Sequence, residues 1–184
     1  MGIFELATGR AQGFARFGAT PRDFAVSFAV LMAVPALGAM LLAIEYGIIV
    51  GLTILLAVAC AVLGPPVLSH LFARAWGQEA LWLRFAIVFN WSRLAITTLY
   101  AILLAVAAVL MGAGFPNEAV ATLLQLGMLG YTLWFDWFLL RHGLQISAKH
   151  AALAMLGVNA GTLVIVFGPP LLSALLLGDL PAPG

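Results

Sequence analysis

The feature that most constrains this chain is a series of five apolar runs, each long enough to cross a lipid bilayer. A hydrocarbon core of about 30 Å requires roughly 20 apolar residues in helical conformation. The runs cover residues 24–43, 47–73, 80–111, 118–140 and 148–177. This pattern predicts membrane-spanning helices, whose internal hydrogen bonds satisfy the backbone in lipid.

Composition excludes the soluble classes of protein. Hydrophobic residues make up 64% of the 184 residues and charged residues only 8%, whereas soluble domains carry about 25% charged residues. The net charge of +1 and the scattered cations do not indicate a nucleic-acid-binding surface. The single cysteine, Cys60, rules out a disulfide framework or a cysteine metal cluster within one chain. We therefore expect an all-α integral membrane protein with five transmembrane helices.

Residues 1–22 are predicted to form a cytoplasmic amphipathic segment ahead of the bundle (residues 23–178) and a short tail (residues 179–184). Three arginines and the lack of an apolar stretch before Phe24 argue against a cleavable signal peptide. Apolar residues recur there at roughly helical spacing, which predicts a helix lying on the inner leaflet. The glycines at positions 9, 13 and 18 leave a disordered tail as the alternative.

Three residues predict where the first span begins. Thr20 is placed to cap the helix, Pro21 to occupy its first position, and Asp23 to face the positive end of the helix dipole. We expect the first transmembrane helix to begin here.

The positions of lysine and arginine predict the orientation, because these residues are retained on the cytoplasmic side. Seven of the eight fall in the N-terminal segment, the second-to-third connection and the fourth-to-fifth connection. The opposite side carries none. We therefore predict a cytoplasmic N-terminus, a C-terminus on the other side, and a multi-pass protein of the bacterial inner (cytoplasmic) membrane. Tryptophans on the cytoplasmic side form a one-sided interfacial belt: Trp76, Trp82, Trp91, Trp134 and Trp137.

Arg93 and Asp136 are ionisable residues inside predicted spans, where they are costly and usually face a partner or a cavity. Each should lie about two turns inside the inner boundary, so that they are able to meet. One hypothesis is a proton or anion relay or a lipid-headgroup site. The other is a structural ion pair or an arginine reaching to headgroups. Asn90, one turn away, is expected to bond between helices.

Two histidines raise a cofactor hypothesis. His70 and His142 fall at similar depth near the cytoplasmic ends of their helices, and paired histidines can hold a haem. The simpler interpretation is that a histidine is favoured by the dipole at a helix C-terminus. We predict no cofactor and no metal site, and we expect bound lipids.

Small residues and prolines mark helix contacts and helix breaks. Gly157 and Gly161, with Asn159 between them, form a small-residue face for internal packing or for a partner. Residues 62–69 and 166–173 share a Gly-Pro-Pro core in opposite orientation, as in an inverted repeat of broken helices, but chance or a shared requirement for a kink is the simpler explanation. The expected kinks or breaks are at Pro35, Pro65, Pro66, Pro169 and Pro170.

Three segments carry a family resemblance: Phe-Ala-Ile-Val-Phe-Asn-Trp-Ser at 85–92, Leu-Trp-Phe-Asp-Trp-Phe-Leu-Leu-Arg-His-Gly-Leu at 133–144, and Thr-Pro-Arg-Asp-Phe-Ala-Val-Ser-Phe at 20–28. They resemble small alphaproteobacterial membrane proteins grouped with the YIP (Ypt/Rab-interacting protein) domain superfamily. The resemblance implies a five-span bundle with a cytoplasmic N-terminus, whose eukaryotic relatives are non-enzymatic adaptors in vesicle trafficking. The eukaryotic Asp-Leu-x-Gly-Pro and Tyr-Gly-Tyr motifs are absent, so the resemblance implies no GTPase partner.

The chain contains no nucleotide-binding loop, no nucleophile elbow, no zinc-protease motif and no carboxylate cluster, so we expect no enzyme. The leading hypothesis is a scaffold or accessory subunit of a larger membrane complex, or a homo-oligomer. One alternative is a small transporter or channel built on Arg93 and Asp136. Another is a haem- or quinone-associated electron-transfer subunit.

Overall fold

The computed structural model describes residues 2–177, which are helical apart from short connections and contain no strand. Five helices are long and apolar enough to cross a membrane. A short N-terminal segment precedes them. The elements are α1 (Gly2–Ala7), a 3₁₀ helix (Ala11–Arg16), α2 (Pro21–Tyr46), α3 (Ile48–Ala75), α4 (Glu79–Gly112), α5 (Asn117–Gly143) and α6 (Ala148–Leu177).

The predicted spans agree closely with the helices α2 to α6. The predicted start of α2 is confirmed: the Thr20 hydroxyl accepts a hydrogen bond from the Asp23 amide, and the Asp23 carboxylate accepts one from the Thr20 amide. This reciprocal cap satisfies two backbone donors that a helix start leaves free. The predicted tail at residues 179–184, and residue 178 of the predicted bundle, lie outside the described residues.

Helix α4 is one uninterrupted helix of 34 residues. At 1.5 Å per residue it is about 51 Å long, which exceeds a hydrocarbon core of about 30 Å. Residues 80–92 belong to this same helix.

The prediction that helices break at proline is wrong for the described backbone, whereas the predicted kinks stay a prediction. Helices α2, α3 and α6 continue through Pro35, through Pro65 and Pro66, and through Pro169 and Pro170. Each proline removes one N–H donor and crowds the carbonyl four residues earlier, and the hydrogen bonds on either side maintain the helix. Membrane helices tolerate this loss because neighbouring helices can satisfy the freed groups.

The N-terminal segment does not form one amphipathic helix. Gly9, with a φ of 79°, separates α1 from the 3₁₀ helix and folds the segment back on itself. Leu6 is fully buried in the core, and Phe14 and Phe17 pack against it. The segment therefore docks on the bundle, while its place at the membrane surface stays a prediction.

The five long helices pack in the ring order α2, α3, α6, α5, α4, and α4 returns to contact α2. Helices α3 and α4 also touch across this ring, and the N-terminal segment packs on α4. Gly47 alone connects α2 to α3, with a φ of 95° that favours glycine.

The buried core lies at one end of the bundle. It joins the last turns of α3 and α5 with the first turns of α4 and α6, together with Leu6. At the opposite end the apolar side chains are exposed, for example Val109 at 72% and Leu123 at 74%. The molecule is thus tightly packed at the end predicted to be cytoplasmic and exposes apolar side chains at the other.

Candidate functional site

Arg93 of α4 and Asp136 of α5 form an ion pair. One guanidinium nitrogen of Arg93, Nη2, donates to both carboxylate oxygens of Asp136 at 2.6 Å. The guanidinium carbon lies 4.4 Å from the centre of the Phe89 ring. The sequence suggested that these residues were able to meet, and the structure brings them together.

The two partners differ in exposure. The Asp136 side chain is 3% exposed and that of Arg93 is 27% exposed. A buried carboxylate is strongly disfavoured without a partner, and Arg93 supplies the compensating charge. The geometry therefore fits a pair that fastens α4 to α5.

Asn90 extends the same polar layer to α2. Its side-chain amide donates a 3.1 Å hydrogen bond to the Ser27 hydroxyl, and both residues are buried. This confirms the predicted interhelical role of Asn90. The Asn90 side-chain oxygen and the Ser92 hydroxyl are buried without a partner among the described residues.

The two histidines of the haem hypothesis occupy separate aromatic clusters. His70 lies 4.6 Å from the Trp82 ring, and its Nε2 is 3.5 Å from the Glu79 carboxylate. His142 packs on Phe138 of its own helix at 4.6 Å. Haem binding stays an alternative hypothesis, and the expectation of no cofactor stays a prediction.

Two of the predicted belt tryptophans also connect helices. The Trp82 indole donates to the carbonyl oxygen of Pro66 on α3 at 3.0 Å, and the Trp137 indole donates to that of Ala148 on α6 at 3.1 Å. Trp76 stacks on His150 at 4.7 Å. Trp91 and Trp134 lie along the N-terminal segment. The membrane-interface role of all five stays a prediction.

The small-residue face of α6 is occupied within the bundle. A Cβ atom added to Gly157 would lie 2.6 Å from the Phe72 ring, and one added to Gly161 would lie 2.7 Å from Leu68, both on α3. This face serves internal packing. The Asn159 amide donates to the Met155 carbonyl of its own helix.

Two open concavities flank the ion pair. A groove of about 870 Å³ lies between the N-terminal segment, α4 and α5, and its lining is mostly apolar. A cleft of about 380 Å³ between α4 and α5 carries four polar residues: Thr97, Tyr100, Gln125 and Thr132. Arg93 and Asp136 line neither one. The transporter hypothesis, which needs a water-filled cavity at this pair, stays a prediction.

The N-terminal segment contains its own ion pair. Arg16 donates through Nε and Nη2 to the two carboxylate oxygens of Glu5, at 2.8 and 2.6 Å. These hydrogen bonds lower the pKa of Glu5 and raise that of Arg16. The Tyr131 hydroxyl donates to the Ala7 carbonyl at 3.2 Å and attaches the segment to α5.

No protein-family model, curated protein or solved structure matches this chain. The proposed function therefore rests on the geometry of the residues described above. Sequence reasoning missed Ser27, Tyr131 and the groove, because their roles depend on how the N-terminal segment and α2 pack. One sequence feature indicated that the N-terminal segment packs on the bundle. Positions 3–17 contain more apolar residues than a solvent-exposed tail needs.

Proposed function

We propose that this chain is a non-enzymatic integral membrane protein that acts as a scaffold or accessory subunit, assembling with other membrane subunits or with itself. The single observation that carries the proposal is the polar cleft on the exposed face of α4 and α5. Gln125 lies about 12 Å along α5 from Asn117 and is exposed there. Its amide makes no hydrogen bond within residues 2–177.

An unpaired amide facing lipid is costly, and polar side chains at such positions bond to neighbouring helices. Thr97 of the cleft already donates to the Arg93 carbonyl, whereas Gln125 keeps both its donor and its acceptor available to a partner. Because an amide is self-complementary, two copies related by a two-fold axis would satisfy each other. A different membrane subunit with one polar side chain would serve equally.

The remaining parts of the proposal follow from the sequence. They are a cytoplasmic N-terminus, residence in the bacterial inner membrane, and kinship with the YIP-like group of membrane proteins. The positive-inside distribution of seven cations supports the orientation.

The test is purification of the tagged chain from its native membrane in mild detergent, with mass determination and identification of co-purifying proteins. We expect a stoichiometric partner or a dimer. Gln125→Leu should weaken association about 3- to 10-fold, since an interhelical hydrogen bond contributes about 0.6–1.5 kcal/mol. Gln12→Leu is the matched control, because it removes an amide far from the cleft. A lone monomer, or equal effects of both substitutions, would contradict the proposal.

A further inference from the structure

We propose that the groove between the N-terminal segment, α4 and α5 binds one anionic phospholipid, with its acyl chain along α4 and its phosphate at Arg16. The proposal requires that the long helices span a membrane and is independent of assembly through Gln125. The volume of about 870 Å³ lies within the range of ligand sites, about 300–1,000 Å³.

The groove is charged at one end and apolar along most of its length, as a phospholipid is. Arg16 is its one charged residue, and it lies at the end formed by the N-terminal segment. From Trp91 to Ile102 on α4 the lining is apolar apart from Thr98, whose hydroxyl is bonded to the Leu94 carbonyl. A cation at one end and a hydrocarbon surface beyond it match a headgroup and an acyl chain.

The length also fits one leaflet. Trp91 and Ile102 are about 16 Å apart along the helix, and half of a bilayer core measures about 15 Å. A groove that opens toward lipid at this depth is filled by acyl chains, because water lacks the polar partners that it needs there.

Arg16 retains the donors that a phosphate requires. Glu5 takes two of the five N–H donors of the guanidinium, and the side chain is 54% exposed. The remaining donors find no acceptor among the described residues. A phosphate bound there would share Arg16 with Glu5, so the Glu5 carboxylate opposes the anionic headgroup.

The experiment is native mass spectrometry of the full chain in mild detergent, titrated with phosphatidylglycerol or with phosphatidylcholine. We expect the wild type to retain one phosphatidylglycerol in preference to phosphatidylcholine. Ala95→Trp fills the groove and should abolish retention. Leu104→Trp, on an exposed part of α4 outside the groove, is the matched control and should retain the lipid.

Two charge variants separate lipid recognition from a merely structural role of the ion pair. Arg16→Gln should reduce the preference for phosphatidylglycerol about fivefold, as expected for one cation near a membrane surface. Glu5→Gln should increase it, because the competing carboxylate is gone. A purely structural pair would make both variants change retention in the same direction. That result, or equal retention by Ala95→Trp and the wild type, would overturn the proposal.

Discussion

The Asp136 carboxylate is buried, and its one charged partner within residues 2–177 is Arg93. Removing one partner of a buried pair leaves an uncompensated charge, whereas replacing both by apolar residues is often neutral. The pair therefore predicts strong coupling between the two positions.

We expect Arg93→Met to destabilise the fold by about 3–5 kcal/mol. The double variant Arg93→Met with Asp136→Leu should recover most of this loss. Reversible unfolding in mixed micelles, analysed as a double-mutant cycle, measures the coupling. Additive effects of the two substitutions would show that the pair contributes nothing.

The pair of Glu5 and Arg16 makes the fold of the N-terminal segment sensitive to pH, because it joins α1 to the 3₁₀ helix. Arg16 lowers the pKa of Glu5 below its usual 4.5 in the folded state, so the unfolded segment binds more protons. The folded segment is favoured above about pH 4.5 and loses this stabilisation as pH falls through the lowered pKa.

Hydrogen exchange of amides 3–16, corrected for intrinsic rates, should therefore show falling protection from pH 6 toward about pH 3. Glu5→Gln is expected to remove most of this dependence. An unchanged profile in that variant would assign the pH sensitivity to other groups.

At the scale of elements, glycines allow some helices to approach closely, and the space around each glycine differs. A Cβ added to Gly51 of α3 would lie 2.8 Å from the Ala39 carbonyl oxygen and 2.9 Å from the Ala43 Cα, both backbone atoms of α2. At Gly157 the obstacle is the Phe72 ring, which is able to turn. At Gly127 a Cβ meets nothing within 4 Å.

These differences predict a graded series of alanine variants. Gly51→Ala should cost about 1–3 kcal/mol because the α2 backbone must move, and Gly157→Ala should cost less. Gly127→Ala should be neutral or stabilising by up to about 1 kcal/mol, since alanine favours the helix. Thermal unfolding in one detergent compares the three. Equal effects at Gly51 and Gly127 would show that α2 and α3 pack less closely.

For the whole molecule, the orientation is open to direct measurement, because the chain has one native cysteine to remove, Cys60. In a Cys60→Ala background, Phe115→Cys lies between α4 and α5 and Ala148→Cys at the start of α6, both exposed. The distribution of cations predicts that a membrane-impermeant maleimide labels the first from outside the cell and not the second. The reverse pattern would invert the topology.

The two proposed sites share one pair of helices. Helices α4 and α5 contribute to the groove, to the cleft and to the ion pair between them. Lipid in the groove and a partner at the cleft would thus contact opposite sides of one helix pair. The buried contacts of the packed end hold α4 against α5.

The sequence by itself determined the five spans and the start of α2, because hydrophobic run length and capping chemistry are local properties. It also identified Arg93 and Asp136 as candidate site residues, because charged residues are rare within apolar runs. The continuity of the helices at proline needed the structure, because neighbouring helices decide whether a missing hydrogen bond interrupts a helix. The docking of Leu6, the Ser27–Asn90 bond, and the groove and cleft were decided only by tertiary packing. They join residues far apart in the chain, and no local pattern records which faces of helices meet.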